Sequence, residues 1–393
     1  MGKTLTSFIL FALAAGIIVP PLGYLAVLGL LIAFIASDRI KELLDPIIQN
    51  KPFFLLIVSI SVSALFSKIF VSSAVFLVFV ILQSLYYSMA QYYLKNRGIE
   101  NLFNVLNYMA IITSLFGLFQ FLTGNLEINE HWTGYSESLS SLTRIYSTLY
   151  NPNIFAAYLV INICFILSWI IYMDYKPSKY ISLVLCSFCL ILTYSRGAFV
   201  SLIAALVIMY ALKKDSRFIL YSAAMIILFL LFNKGAGYER INIARINSDS
   251  SSVYRIEIWR TSLRIFMEHP FVGNGVGTLW YSLSQVSPKL WGVVYHAHDI
   301  FLHFAAETGI IGLVSFVSIF HSLMAGSMKK IKNACGSLER FAALGTIGTS
   351  VAIMIHGLID AVIVVPTLTL ILMNYYSLAC YASGFFKPIT LKS

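Results

Sequence analysis

From Thr4 to Ser37 the chain runs 34 residues without a charged side chain, and 153–173 contains none either. A spanning helix needs about 20 mostly apolar residues, because in lipid every backbone N–H and C=O must be satisfied within the segment. Stretches of this kind recur near 6–20, 22–37, 52–67, 69–93, 102–123, 153–173, 180–195, 197–212, 218–233, 300–324, 341–358 and 366–386. The sequence therefore predicts an all-α, polytopic integral membrane protein with about twelve transmembrane helices, a single membrane domain over 1–393. The first two stretches meet at Pro20-Pro21 and read either as two spans or as one re-entrant element. The apolar stretch continues past those prolines with no small-residue cleavage site, unlike a signal peptide. The chain is 59% hydrophobic and 11% charged, with mean hydropathy +0.83. Soluble proteins carry about 25% charge, so a soluble enzyme, a nucleic-acid binder and a disordered chain are excluded.

The net charge of +10 reports orientation first. With both termini assigned to the cytoplasm, 17 of the 27 Lys and Arg residues fall on the inner side and 10 on the outer. That bias follows the positive-inside rule. The inner cations are 13 Lys and 4 Arg, whereas the outer ones are 3 Lys and 7 Arg. Topology requires only charge, so an outer preference for Arg calls for another cause. Planar, multidentate binding of phosphate or carboxylate is one; pairing with nearby Glu239, Asp249, Glu257 and Glu268 is the other. Of the five cysteines, Cys186 and Cys189 have redox or zinc-pair spacing but lie in an apolar span, where they read as packing.

Two outer loops are long, 124–152 and 234–299, and the second exceeds an ordinary connector. It carries Trp280, Tyr281, Trp291 and Tyr295, and within it 253–268 reads as an amphipathic helix. Ile256, Trp259, Leu263 and Phe266 recur there at spacings of three and four, and His269-Pro270 ends the pattern.

Five places can carry chemistry. Thr193-Tyr194-Ser195-Arg196-Gly197 puts an Arg at the outer junction of two spans, and no Asp or Glu stands between Asp174 and Asp215. Such an Arg either snorkels to the interface or binds an anion beside a turn that Gly197 permits. Arg255, Arg260 and Arg264 form either an anion site or a solvated face with Glu257 and Glu268. Gly273-Asn274-Gly275-Val276-Gly277 reads as a loop turn, since no strand precedes it. His296-Ala297-His298-Asp299, followed by His303 and Glu307, can supply a general base, bind a metal, or cap the next span through Asp299. Asn151-Pro152-Asn153 reads as a helix start, and His356 and Asp360 as a buried pair or part of an outer cavity.

Four segments together resemble the O-antigen ligase and O-antigen polymerase (Wzy-type) family of polytopic membrane proteins. They are RIYSTLYNPNIFAAYL (144–159), LTYSRGAF (192–199), YRIEIWRTSLRIFMEHPFVGNGVGTLW (254–280) and HAHDIFLHFAAETGIIGL (296–313). The likeness covers about 140–320, with Asp299 where Asn is common in the family. It implies a GT-C-like glycosyltransferase in a bacterial cytoplasmic membrane. The donor would be a glycan on undecaprenyl diphosphate, and the acceptor a lipid-linked repeat unit (polymerase, the favoured reading) or lipid A-core (ligase). Membrane lipid and a chain-length regulator would be its partners. Arg196 and Arg255 would stabilise the departing diphosphate and His298 would deprotonate the acceptor. Arg144, Asn153, Arg260, Arg264, His296, Asp299 and Glu307 would bind diphosphate or glycan. No metal or cofactor is expected, because Arg groups can hold a diphosphate. Transfer of glycan to a protein is a further acceptor possibility. A transporter or lipid-linked glycan flippase is the alternative from another class. The Pro20-Pro21 break favours it; the surface clustering of charge and the lack of an internal repeat do not.

Overall fold

The computed structural model describes residues 2–124, 144–232, 250–287, 296–333 and 336–385. Lys234, Glu239, Arg240, Arg245, Asp249, Lys289, Trp291, Tyr295, Cys335, Lys387 and Lys392 lie outside the described residues. Among the described residues every regular element is helical. In chain order they are α1 (Gly2–Ile18), α2 (Pro20–Ala36), α3 (Ile40–Gln49), α4 (Lys51–Leu65), α5 (Phe70–Arg97), α6 (Ile99–Thr123), α7 (Pro152–Tyr172) and α8 (Pro177–Leu192). There follow α9 (Arg196–Lys213), α10 (Ser216–Phe232), α11 (Ser250–Glu268), α12 (Leu279–Val286), α13 (Ile300–Asn333), α14 (Ser337–Gly357) and α15 (Pro366–Ser383).

The chain is an all-helical, polytopic membrane protein, and a helix occupies each of the twelve expected apolar stretches. Among the described residues six helices are long and apolar enough to cross a membrane: α5, α6, α7, α9, α13 and α14. Counting α2 and α3, which meet at a 114° bend, as one broken span makes seven. The apolar helices α1, α4, α8 and α10 are shorter, and α15 has 18 residues. Pro20-Pro21 separates two helices rather than kinking one. α1 and α2 fold back on each other so that a Cβ on Gly16 would lie 3.2 Å from the Gly23 Cα.

The middle of the bundle is α14, which packs on α7, α9 and α13. Its sequence, AALGTIGTS over 342–350, is almost all small residues, which lets neighbouring helices approach closely in lipid. The Ser168 hydroxyl of α7 donates to the Phe341 carbonyl at 2.6 Å, and a Cβ at Gly348 would press on Met209 of α9. α7 is the most enclosed span, with 89% of its apolar window buried, so its first turn is held rigidly. Cys186 and Cys189 are both buried free thiols near Ser114 and Ser182, consistent with packing.

α13 is broken at Gly309, whose φ of 65° and ψ of −169° are not helical. The break receives the glycine turn 273–277. Asn274 and Gly275 donate backbone N–H bonds to the carbonyls of Ala306 and Glu307 at 2.9 and 3.2 Å, and Ile310 donates to the Pro270 carbonyl at 2.8 Å. A Cβ on Gly309 would collide with the Phe271 carbonyl, so only glycine fits. The glycine run is thus a docking turn, which fixes α11 and α12 against the start of α13.

The buried face of α11 is not the stripe read from the sequence. Ile256 and Leu263 are exposed, whereas Ile258, Thr261, Ser262 and Ile265 are buried. Of the expected stripe, Trp259 and Phe266 are half-buried, and Ile256 and Leu263 are corrected to the exposed side. Apolarity alone does not distinguish a core-facing side chain from an outward one in a chain of this composition.

Candidate active site

Four sequence-distant segments meet at one end of the bundle, and Asp360 is where they join. Asp360 follows the last turn of α14 in an irregular stretch before α15, its backbone N–H bonded to the His356 carbonyl at 2.9 Å. Its carboxylate is 5% exposed as a residue and carries partners on both oxygens. Oδ2 accepts from the Asn153 side-chain amide at 2.8 Å. Oδ1 faces His298 Nδ1 at 3.2 Å and His296 Nδ1 at 3.8 Å. An ionised carboxylate only accepts, so the facing His298 Nδ1 is assigned the proton, and in the neutral imidazole Nε2 is then the lone-pair nitrogen.

The residues arrive by identifiable local devices. Asn151 is the N-cap of α7: its side chain accepts from the backbone N–H groups of Asn153 and Ile154 at 2.8 and 3.3 Å, and Pro152 opens the helix. The helix-start reading of Asn151-Pro152 therefore holds, while Asn153 turns inward. Arg144 backs Asn153. Its guanidinium donates to Asn153 Oδ1 and to the Thr193 carbonyl, each at 2.8 Å. His298 has a φ of 50°, an unusual left-handed conformation for a non-glycine residue and one that clusters at functional sites. The two imidazoles lie 4.3 Å apart between centroids. Asp299 turns away from them and accepts the Leu302 backbone N–H at 2.8 Å, capping α13.

Electrostatics follow from this burial. Desolvation alone would raise the Asp360 carboxyl, but the His298 hydrogen bond and the neighbouring imidazoles outweigh it and hold the group well below the usual carboxylate range. His296 is pushed down to about 3, by burial first and by His298 second. The charge of Arg255 also acts on His296, so the guanidinium is near the cluster. Helical geometry explains its place: Arg255 shares a face with buried Ile258, Ser262 and Ile265 at spacings of three, seven and ten.

The other expected residues are disposed differently. Arg196 is the first residue of α9 and is exposed; the adjoining Gly197 touches the site, since a Cβ there would lie 3.2 Å from His356 Cδ2. Arg260 and Arg264 are on the exposed side of α11, and Arg264 pairs with Glu268 at 3.3 Å. Glu307 is buried, and its carboxylate accepts the backbone N–H groups of Gly277 and Leu279 at 2.8 and 3.0 Å, with His303 Nε2 at 3.3 Å. Those bonds hold the glycine turn. The residue that sequence reading left without a role at the centre is Asp360. Its acidic side chain at the outer end of an apolar span was the available signal.

A buried carboxylate, two imidazoles facing it and an amide held by Arg144 form a polar junction at one end of the helical bundle, the candidate active site. Residues 181–317 match the family described as O-antigen ligase, and the resemblance seen in the motifs is borne out there. The exopolysaccharide production protein ExoQ of Rhizobium meliloti (strain 1021) is 24% identical to this chain over 103 residues, 24% of each chain's length. The match thus spans about a quarter of that relative. The matched family region contains Arg196, Arg255, His296 and His298, while Arg144, Asn153 and Asp360 lie outside it.

Proposed function

We propose that this chain is a bacterial surface-polysaccharide glycosyltransferase of the polymerase or ligase type. It moves a glycan from undecaprenyl diphosphate to an acceptor hydroxyl at the outer face of the cytoplasmic membrane, with both termini in the cytoplasm. The observation that carries the reading is the Asp360 junction. It orients one imidazole, His298, with Nε2 available to a hydroxyl, beside Arg255 and the Arg196 turn. In the reaction His298 Nε2 takes the acceptor proton as the hydroxyl oxygen bonds to the anomeric carbon. The bond from that carbon to the diphosphate breaks, and the electron pair leaves with the diphosphate. Asp360 stabilises the resulting imidazolium, as a buried carboxylate does for a catalytic histidine. Arg255 and Arg196 stabilise the charge growing on the leaving group.

Arg144 and Asn153 hold Asp360 in place. Arg260, Arg264, His296, Asp299 and Glu307 remain candidates for glycan contact, with Arg264, Asp299 and Glu307 weakened by the partners they already have. The reaction needs no divalent metal, so transfer continues in EDTA. The acceptor favoured is a second lipid-linked repeat unit. Surface glycans of a deletion strain test this. Loss of long chains with single repeats retained on the surface supports polymerase. Free lipid-linked polymer with none attached supports ligase. Unchanged glycans overturn both. Complementation by His298→Ala should fail while the protein still inserts; normal chain length with that variant removes His298 as the base.

A further inference from the structure

We propose that His296, His298 and Asp360 bind a borderline divalent cation of the Zn²⁺ type, and that its binding switches transfer off. The switching half rests on His298 as the base; the binding half does not. Each of the three residues offers one ligand atom, and these atoms all lie within 4.8 Å of one another. Both imidazole Nδ1 atoms face the same carboxylate oxygen, at 3.2 and 3.8 Å. A tetrahedral zinc centre with bonds of about 2.0–2.1 Å has ligand atoms about 3.3 Å apart, so two of the three edges are already close to those of an occupied site.

The rest of the site is built to match. The Asn153 amide occupies Asp360 Oδ2 at 2.8 Å and leaves Oδ1 turned to the imidazoles, the kind of outer-shell bond that orients a ligating carboxylate. His296 Nδ1 accepts from the His298 backbone N–H at 3.3 Å. That shows the nitrogen turned inward in a long bond that is cheap to exchange. The left-handed φ of 50° at His298 accompanies the approach of the two rings. Three protein ligands leave a fourth position for water. Two nitrogens and one oxygen suit zinc, and Mg²⁺ and Ca²⁺ prefer oxygen throughout.

Occupation has a defined chemical consequence. A neutral imidazole that binds metal through Nδ1 carries its proton on Nε2. The proton that sat on Nδ1 moves to Nε2 through water, so charge and protons balance. The nitrogen that would accept the hydroxyl proton is then blocked, and Asp360 Oδ1 is taken by the metal.

The test uses the full chain purified in detergent, stripped with EDTA and desalted. Calorimetric titration with ZnCl₂ should show one ion per chain, with Mg²⁺ not competing. His296→Gln and Asp360→Asn should each weaken binding about tenfold or more. Zinc-edge X-ray absorption on the unaltered protein should show two imidazoles and oxygen in the first shell, which reads the site without any variant. Transfer should fall in step with occupancy and return with EDTA. Absence of stoichiometric binding, an all-oxygen or sulfur shell, or binding untouched by both variants overturns the site. Zinc bound as described alongside normal transfer by His298→Ala keeps the site and removes the base. No zinc binding alongside an inactive His298→Ala does the reverse.

Discussion

Asp360→Asn removes one charge and keeps the shape of the side chain. Asp360 Oδ1 stands 3.2 Å from His298 Nδ1. At an effective dielectric of 20, a full charge pair at that distance is worth about 5 kcal/mol. His298 is partly exposed, with 29% of its side chain accessible, and solvent screening reduces the figure. Since 1.4 kcal/mol is a factor of ten, and base catalysis typically contributes about 10²–10⁴-fold, transfer should fall about 10²–10³-fold. The amide adds a second effect. Its NH₂ must face either the Asn153 amide, placing donor against donor, or His298 Nδ1, forcing the imidazole proton onto Nε2. The first keeps Nε2 as the lone-pair nitrogen but loses the Asn153 bond and the charge that stabilises the imidazolium, the second blocks Nε2, and neither removes volume from the core. The assay is transfer from a lipid-linked glycan by purified protein at saturating donor, with thermal unfolding measured in parallel. Activity within about fivefold of the unaltered protein, where the reasoning demands at least 10²-fold, refutes the role of this pair in proton transfer.

The two arginines on α11 should separate. Arg255→Ala should cost about 10²–10³-fold in transfer, as loss of a donor to a developing anion does, whereas Arg264→Ala, an exposed partner of Glu268, should stay within about twofold; equal losses in the same transfer assay would contradict the helix face assigned to them. Glu307→Gln should destabilise the protein by about 1–3 kcal/mol, because one of the Gly277 and Leu279 N–H groups would then meet an NH₂; an unchanged melting temperature would count against the docking role. His296 takes a proton at about 3 when folded and near 6.5 when unfolded, so acid favours the unfolded chain. Stability attributable to His296 is complete above about 6.5 and falls as pH drops toward 3; melting curves from pH 7 to 4 should be flatter for His296→Gln, and an identical slope would exclude this.

The spans were legible because lipid imposes a length and a composition on each one, and both are local properties of the chain. The amphipathic face of α11 was not. In water, Ile256 and Leu263 would have to be core and Ser262 surface. Here Ser262 is fully buried and the two apolar residues are exposed, because the covered face is decided by what the helix packs on, α13 and α12, and not by the periodicity of its own residues. The same limit applies to Glu307. Its spacing from Gly309 and Gly312 could be read beside His303, but its role depends on a turn thirty residues earlier in the chain, whose N–H groups reach it only once α13 breaks at Gly309. Asp299 shows the converse. It stands next to His298 in sequence and caps α13, one of the roles its position allowed, while the carboxylate that faces the imidazole comes from 62 positions away.

The split between Lys and Arg also takes on a finer meaning. The resemblance implies diphosphate or glycan binding for Arg144. Its guanidinium spans from the Thr193 carbonyl, at the end of α8, to the Asn153 amide at the start of α7. A Lys could meet one of those acceptors but not both in that fixed geometry. The preference for Arg at 144 is thus explained by a structural bridge. It ties the turn that presents Arg196 to the amide that holds Asp360. These arginines therefore do different work. Arg264 is taken up by Glu268, and Arg144 supports the carboxylate. Arg255 lies on the inward face of α11, where its charge acts on His296, and Arg196 opens α9 beside the glycine whose Cβ would meet His356. Composition left anion binding and pairing with nearby carboxylates both open for these arginines, and the structure shows the second for Arg264 and a structural bridge for Arg144.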